Sequence, residues 1–489
     1  MHKRDKMKTL TNSMKVMFCI FIFAVTFAAC NKYINLEPKG STYDEVFWVN
    51  GSNVQKALSG AYSLLRDGFR ADRSYFIFGD LAGGNFGVGG DYWNYTDISE
   101  DKSFNFNYVP YLEGSLWNWS RFYKVINQTH LIIENIPEID DSKFESGVET
   151  KKQLEGEARF LRAYTYFYMQ RVWGDVVLTK ESFKDPQNIP IIPRTPEEET
   201  LAFCIADLEK SEELLENSSN KTLASKGAAQ ALLAHIYAWM HEYEEAEKYA
   251  NKIIDGGYYA LEDIEDYLDI WKGNSEESIF ELNMLYADGS NEATAEFFNV
   301  FLTDPYIRNK NAGSAWSIDL PISQQLFNKE EARADSIFVN GAGSTLLMRK
   351  YNGVDYYDAN NPNTYVVSNN LVLLRLADIY LLRAETRFKN DNEPGALQDL
   401  NKVRERAGLE DFSGAGSSLF NEITDERRRE LIGEGHTQFD LIRMEQLQRV
   451  FSVYSNDRIA KKGYYWPLQM RTLLPQNPEL TQNEWWSEN

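Results

Sequence analysis

Cysteine is scarce: Cys19, Cys30 and Cys204 are all that 489 residues contain. The first two fall in the N-terminal segment discussed below, which leaves Cys204 alone in the body. No internal disulfide can form there, and stability must come from a large core. Cys204 lies mid-helix among apolar neighbours and reads as an inert core residue. Histidine is almost as rare. His2, His130, His235, His241 and His436 are scattered, and none forms a His-x-x-x-His or His/Cys cluster with metal-ligand spacing. Positive charge is in deficit, with 51 Lys and Arg against 73 Asp and Glu for a formal net charge of −22. Such a surface repels phosphate backbones, and no Lys/Arg cluster with interleaved aromatics offsets it, which excludes nucleic acid as a partner. The densest basic run, Arg427-Arg428-Arg429, is flanked by Glu426 and Glu430 and reads as a solvated or ion-paired helix face. Those two acids are i, i+4 neighbours, so surface pairing explains them better than the paired carboxylates of a glycosidase. Gly83 to Gly90 lacks the Lys-Ser/Thr of a phosphate loop and reads as a flexible loop. Strand signal is scant, and no motif announces catalysis.

Long apolar runs are missing too, except at the N-terminus. Lys3, Arg4, Lys6, Lys8 and Lys15 stand against one acid, Asp5, and are followed by an apolar stretch from Val16 to Ala29 broken only by Thr26. That run is short for a membrane span and suits a signal-peptide core. It closes in Phe27-Ala28-Ala29-Cys30, which resembles the lipobox of bacterial lipoproteins, with Phe27 where Leu is usual. Residues 1–29 are expected to be a lipoprotein signal peptide and Cys30 the acylated first residue of the mature chain. More than one acyl chain, at about 0.8 kcal/mol per buried methylene, holds a protein at a membrane without a spanning helix. The leader carries a net +4, so without it the formal charge of −22 becomes −26.

Helical periodicity dominates what remains. From Ser225 to Gly257, Ala229, Leu232, Leu233, Ile236, Tyr237 and Met240 keep i, i+3, i+4, i+7 spacing, a turn falls near His241, and a second helix ends at Gly256-Gly257. Leu371 to Gly408 repeats the plan, with Leu374, Ala377, Tyr380, Leu381 and Ala384 on one helix and Ala396, Leu397, Leu400 and Val403 on the next. In both pairs an alanine precedes another by twelve positions, Ala234 to Ala246 and Ala384 to Ala396. This is the tetratricopeptide (TPR) pattern, in which small residues let two helices approach closely. Further helices are expected over residues 117–136, 151–173, 196–216 and 422–450, the third with Thr195 as N-cap and Pro196 at the first helical position. Ile279 to Leu285 and Thr345 to Lys350 suggest small hairpins. The predicted fold is mainly α, a TPR-like helix-pair scaffold with long loops and small β-hairpins, in one domain over residues 30–489. Arg159, Arg162, Asp378 and Arg443 lie in otherwise apolar helical stretches and are expected to form ion pairs that tie the repeats together.

Several further motifs recur in order. They are Glu157-Ala158-Arg159-Phe160-Leu161-Arg162-Ala163-Tyr164 with Trp173-Gly174-Asp175, Leu374-Arg375-Leu376-Ala377-Asp378, and Leu400-Asn401-Lys402-Val403-Arg404-Glu405-Arg406-Ala407-Gly408. Then come Glu426-Arg427-Arg428-Arg429-Glu430-Leu431, Glu434-Gly435-His436 with Phe439-Asp440-Leu441-Ile442-Arg443, and Asn477-Pro478-Glu479-Leu480-Thr481-Gln482-Asn483. In this order behind a lipobox, the chain resembles the SusD/RagB group of outer-membrane lipoproteins from about Tyr33 to the C-terminus. Val177 and Thr437 depart from the family pattern, where Pro and Arg are frequent. The resemblance implies a non-enzymatic protein on the outer membrane, facing the cell exterior, that captures a glycan for a SusC-type TonB-dependent transporter. A peptide-capturing RagB-like lipoprotein and a TPR scaffold that only assembles proteins are the alternatives.

The compositional excess is aromatic, with 28 Phe, 28 Tyr and 11 Trp. A sugar presents apolar C–H faces and a rim of hydroxyls, so its site needs flat rings beside amide, carboxylate or guanidinium groups. Asp91-Tyr92-Trp93-Asn94-Tyr95 supplies both, although the rings could equally pin the loop to the body. The resemblance places ligand-contacting aromatics in a loop after the early helices and in a second loop past mid-chain. Here those places hold Tyr92, Trp93, Asn94 and Tyr95, and the segment from Tyr286 to Trp316, with Tyr306, Arg308 and Trp316 as candidates. No catalytic residue, metal ligand or organic cofactor is expected; the Asp/Asn-rich stretch from Tyr286 to Glu292 leaves a structural calcium ion open.

Overall fold

The computed structural model describes residues 44–88, 98, 113–183, 190–285, 297–311, 313, 315–327, 331–341 and 345–488. The chain divides into two units, Met1–Asn50 and Gly51–Asn489. The described part of the first contains one helical turn, Asp44–Phe47. Cys30 and the expected signal peptide lie outside the described residues, as do Tyr92, Trp93, Asn94, Tyr95 and residues 286–292.

The second unit is mostly helical. Helix α1, Gly51–Arg70, buries Val54, Ala57, Leu58, Ala61, Leu65 and Phe69 along one stripe. Helix α2, Ser120–Asn135, lies against it and against α3, Val148–Trp173. Beyond Gly156, α3 is buried nearly all round, as expected of a helix enclosed by neighbours, and Gly174 ends it at φ 74°. Helix α4, Glu197–Leu214, packs on α3. Its start differs from expectation: Pro196 holds the N-cap position, while the Thr195 hydroxyl accepts instead from the Leu178 N–H at 3.3 Å.

Two helix pairs follow the same plan. The first is α5, Lys226–Trp239, with α6, Tyr243–Ile254; the second is α7, Leu376–Lys389, with α8, Glu393–Arg406. Ala234, Ala246, Ala384 and Ala396 are fully buried, so backbone meets backbone within each pair. Each pair turns through a left-handed residue seven positions after its first alanine, His241 at φ 61° and Asp391 at φ 59°. Helix α6 packs on α7, which joins the pairs. Helix α9, Ser417–Glu430, closes the second pair through Leu419, Phe420 and Ile423.

The expected helix over residues 422–450 is instead three pieces: α9, α10 at Thr437–Arg443, and a turn at Leu447–Val450. Gly433 and Gly435, at φ 75° and 79°, break the first from the second. Leu374 belongs to a strand and not to α7. Strand β1, Ser278–Leu282, pairs antiparallel with Leu371–Arg375, and both are buried along their whole length. A short apolar run of this kind carries no period that separates strand from helix. Between them in sequence lie β2 (Ile318–Asp319), β3 (Phe338–Asn340) and β4 (Thr345–Met348) in one sheet ordered β2-β4-β3, and the hairpin of β5 (Val354–Tyr356) with β6 (Tyr365–Val367).

Buried ion pairs join these elements. Asp207 of α4 receives both Arg162, at 2.7 Å, and Arg159, at 3.0 Å, of α3. Asp378 of α7 meets Arg427 of α9 at 2.7 Å and His235 of α5 at 2.6 Å. Arg443 reaches Glu385 and Asp440. The Arg427 to Arg429 run is ion-paired as expected but is not a surface face: Glu426, Arg427 and Glu430 are all fully buried. Burial alone would raise the Glu430 pKa, yet the guanidinium groups of Arg406, Arg375 and Arg333 hold it well below the usual range.

Candidate functional site

The site begins at a close crossing of two turns. After α1 the chain runs through a π-helical turn at Ile77–Leu81, where a Cβ added to Gly79 would fall on the Gly435 carbonyl. The Asp80 carboxylate beside it is fully buried and accepts hydrogen bonds from the Gly433 N–H at 2.8 Å, the Gly435 N–H at 2.6 Å and Asn85 Nδ2 at 3.1 Å. Asn85 Nδ2 also donates to Thr437 Oγ1 at 2.7 Å. Burial outweighs these donors and pushes the Asp80 pKa up to about 7. Residues Gly83 to Phe86 are therefore buried and fastened, where a flexible loop was expected.

Beyond this clamp, Gly87 and Ser317 exchange two backbone hydrogen bonds, at 2.8 and 3.1 Å. The bridge joins the end of the Gly83–Gly87 turn to the residue that follows Trp316.

Trp316 is the candidate placed otherwise. Its side chain is fully buried, and its indole packs edge-on to Phe301 with centroids 6.0 Å apart and near Phe86 at 6.3 Å. It has no exposed face for a sugar, so it leaves the candidate set and belongs to the core. That core is a continuous aromatic cluster in which Phe298 stacks on Tyr351 at 4.4 Å and Phe76 on Phe297 at 4.8 Å.

Tyr306 and Arg308 stand on a fixed turn. The Tyr306 and Ile307 N–H groups donate to the Thr303 carbonyl at 2.8 and 3.0 Å, and the Asn309 N–H donates to the Asp304 carboxylate at 3.0 Å. Ile307 between them is fully buried and pins the turn, leaving Tyr306 39% exposed. The Arg308 guanidinium lies over the Tyr356 ring, 3.7 Å from its centroid, and donates to the Ala359 carbonyl at 3.1 Å. The Arg308 N–H in turn donates to the Tyr356 hydroxyl at 2.8 Å. Next to it Tyr357 is 61% exposed. Tyr356 and Tyr357, on the β5–β6 hairpin, were not among the sequence candidates, although the aromatic, turn-rich character of 352–370 was the available signal. Together these residues offer exposed rings beside a guanidinium whose plane is set in advance, the combination that stacks on a sugar face and donates to its hydroxyls.

The paired carboxylates Glu426 and Glu430 are fully buried and bound to Arg333, so they cannot reach a substrate. Among the described residues no group of three His, Cys, Asp or Glu is placed to hold a metal ion, and no helix is long and apolar enough to cross a membrane. Cys204 is fully buried, with its thiol pKa pushed well up by burial.

Two family models match this chain. One described as the SusD family covers residues 238–486, and one described as starch-binding, associating with the outer membrane, covers residues 91–238. The chain is 26% identical to SusD-like protein P38 of Formosa agariphila over 98% of its own length and 99% of the relative's. It is 24% identical to a SusD-like protein of Bacteroides ovatus, over 86% and 80% of the two chains. Among solved structures, a SusD superfamily protein from Bacteroides thetaiotaomicron superposes with a TM-score of 0.76 at 28% identity, over 90% of this chain and 99% of that one.

Proposed function

Because this chain belongs to the SusD family, whose members are binding proteins and not enzymes, we propose that it captures oligosaccharides outside the cell for a SusC-type TonB-dependent transporter, held to the outer membrane by lipid on Cys30. The observation that supports the reading is the Arg308 guanidinium held over the Tyr356 ring, with the neighbouring Tyr306 and Tyr357 exposed. In this reading Tyr306 and Tyr357 offer platforms, Arg308 donates to hydroxyls from its perch on Tyr356, and Tyr92, Trp93, Asn94 and Tyr95 complete the site. At roughly 1 kcal/mol per stacking contact added to the burial of ring and sugar surface, a few such platforms give micromolar to millimolar affinity, weak enough to release ligand to a transporter.

Isothermal titration against glycan and peptide panels tests the reading. Glycan binding is expected, weakened about tenfold by Tyr306→Ala and by Arg308→Ala with no change in melting temperature. Peptide binding without any glycan response would overturn it and favour the peptide-capturing alternative.

A further inference from the structure

A second cleft, of about 430 Å³, opens where α4 begins and α5 and α10 end. Its size falls within the span of small-molecule pockets, about 300–1,000 Å³. Trp239, Tyr464 and Tyr465 supply ring surface, and Leu447 and Ile459 add alkyl surface. Two carboxylates face this apolar lining, Glu197 and Glu445.

The charge balance inside is negative. Helix α5 is 14 residues long and ends here, so its negative dipole end adds to the two carboxylates. Arg443, also in the lining, is committed to Glu385 and Asp440 at 2.6 and 2.7 Å. Lys462 is the remaining cation of the lining. Its ammonium stands 3.5 Å from Glu197 while its side chain is 56% exposed. The cleft thus already receives an ammonium group, on a tether that water can displace.

The polar heads are set in advance. Glu197 accepts from the Trp239 indole at 2.6 Å. His241 Nε2 pairs with the Arg443 carbonyl at 3.0 Å, and Gln448 Nε2 donates to the Tyr454 carbonyl and to Asn456 at 2.9 and 2.8 Å. The Tyr464 hydroxyl pKa is pushed up to about 12 by burial and then by Glu197 and Glu445, so both carboxylates bear on one point of the wall.

We infer that this cleft is a binding site for a small ligand bearing a primary ammonium group, with the ammonium between Glu197 and Glu445 and its carbon skeleton against Tyr464 and Trp239. Ring faces attract cations, carboxylates pair with them, and the end of α5 reinforces both. The ammonium could belong to an amino sugar or to a lysine-like amino acid; the chemistry that the cleft reads is the same. The inference does not depend on the Tyr306–Arg308 site.

Saturation-transfer NMR and calorimetry on the full chain, with glucosamine, N-acetylglucosamine and lysine as probes, test it. Glucosamine or lysine is expected to bind and neutral N-acetylglucosamine to bind at least tenfold more weakly; which of the two amines binds better identifies the source. Glu445→Gln should weaken the amine about fivefold and Tyr464→Leu about tenfold. Lys462→Met should strengthen it by removing the tethered competitor, whereas Arg308→Ala should leave it unchanged. Equal binding of the charged and neutral sugars, silence from both amines, or weaker binding by Lys462→Met would each overturn the inference.

Discussion

Asp80 shows how a single buried carboxylate links distant turns. It receives its hydrogen bonds from the Gly433 and Gly435 N–H groups and Asn85, and its pKa stands at about 7 against an ordinary 3.8. The folded state therefore holds this proton more tightly than the unfolded chain does. Its contribution to stability is full below about pH 4 and is lost as pH rises through about 7. Asp80→Asn should remove that slope between about pH 4 and 7 in urea denaturation series. It should also lower stability by about 1–3 kcal/mol, because an amide nitrogen replaces one acceptor of a buried N–H. Asp207 is more exacting, since it neutralises both Arg159 and Arg162. Asp207→Ala should cost about 3–5 kcal/mol, read as a fall in denaturation midpoint. Residues of this kind were legible where charges interrupt apolar helices, as at Arg162 and Asp378. They were not legible at Arg427, whose charged sequence neighbours imitate a wet surface while the fold encloses them.

Elements with a strong period were readable, and those defined by a distant partner were not. The alanine spacing of α5 to α8 announces close helix pairs because it encodes contact within one hairpin. Leu371–Arg375 becomes a strand only because Ser278–Leu282 lies beside it, and the break between α9 and α10 serves the crossing of Gly79 over Gly435. Gly79→Ala is expected to unfold or severely destabilise the protein, since its Cβ meets backbone that cannot swing aside; circular dichroism melting checks this. By contrast, Gly60 meets nothing within 4 Å, so Gly60→Ala on the same assay should be neutral or stabilising by about 0.5–1 kcal/mol, the usual helix-interior gain. The candidate site was half legible for the same reason. Tyr306 and Arg308 stand out as an exposed ring and a cation in an aromatic segment, whereas Trp316 looks identical in sequence and is core. The seat of Arg308 on Tyr356 joins residues 48 apart, which no local spacing encodes.

At the scale of the whole molecule, charge and anchorage act together. A chain of net charge −22 repels anionic surfaces, so the proposed attachment to the outer membrane rests on lipid at Cys30 and not on basic patches. Cys30→Ser is expected to move the protein out of the outer-membrane fraction without changing ligand affinity, and mass spectrometry of the wild-type N-terminus should find acyl chains on Cys30. Retention of the variant in that fraction would reject the anchor. The bridge between Gly87 and Ser317 has a broader consequence. It is made from main-chain atoms alone and so asks nothing of either side chain. On the Gly87 side new residues past that knot need not disturb the frame beneath, whereas Trp316 and Ile318 on the other side are core. In the proposed reading a lineage meeting an unfamiliar polymer could retune its grip by editing that one fringe, while the helical chassis is inherited intact.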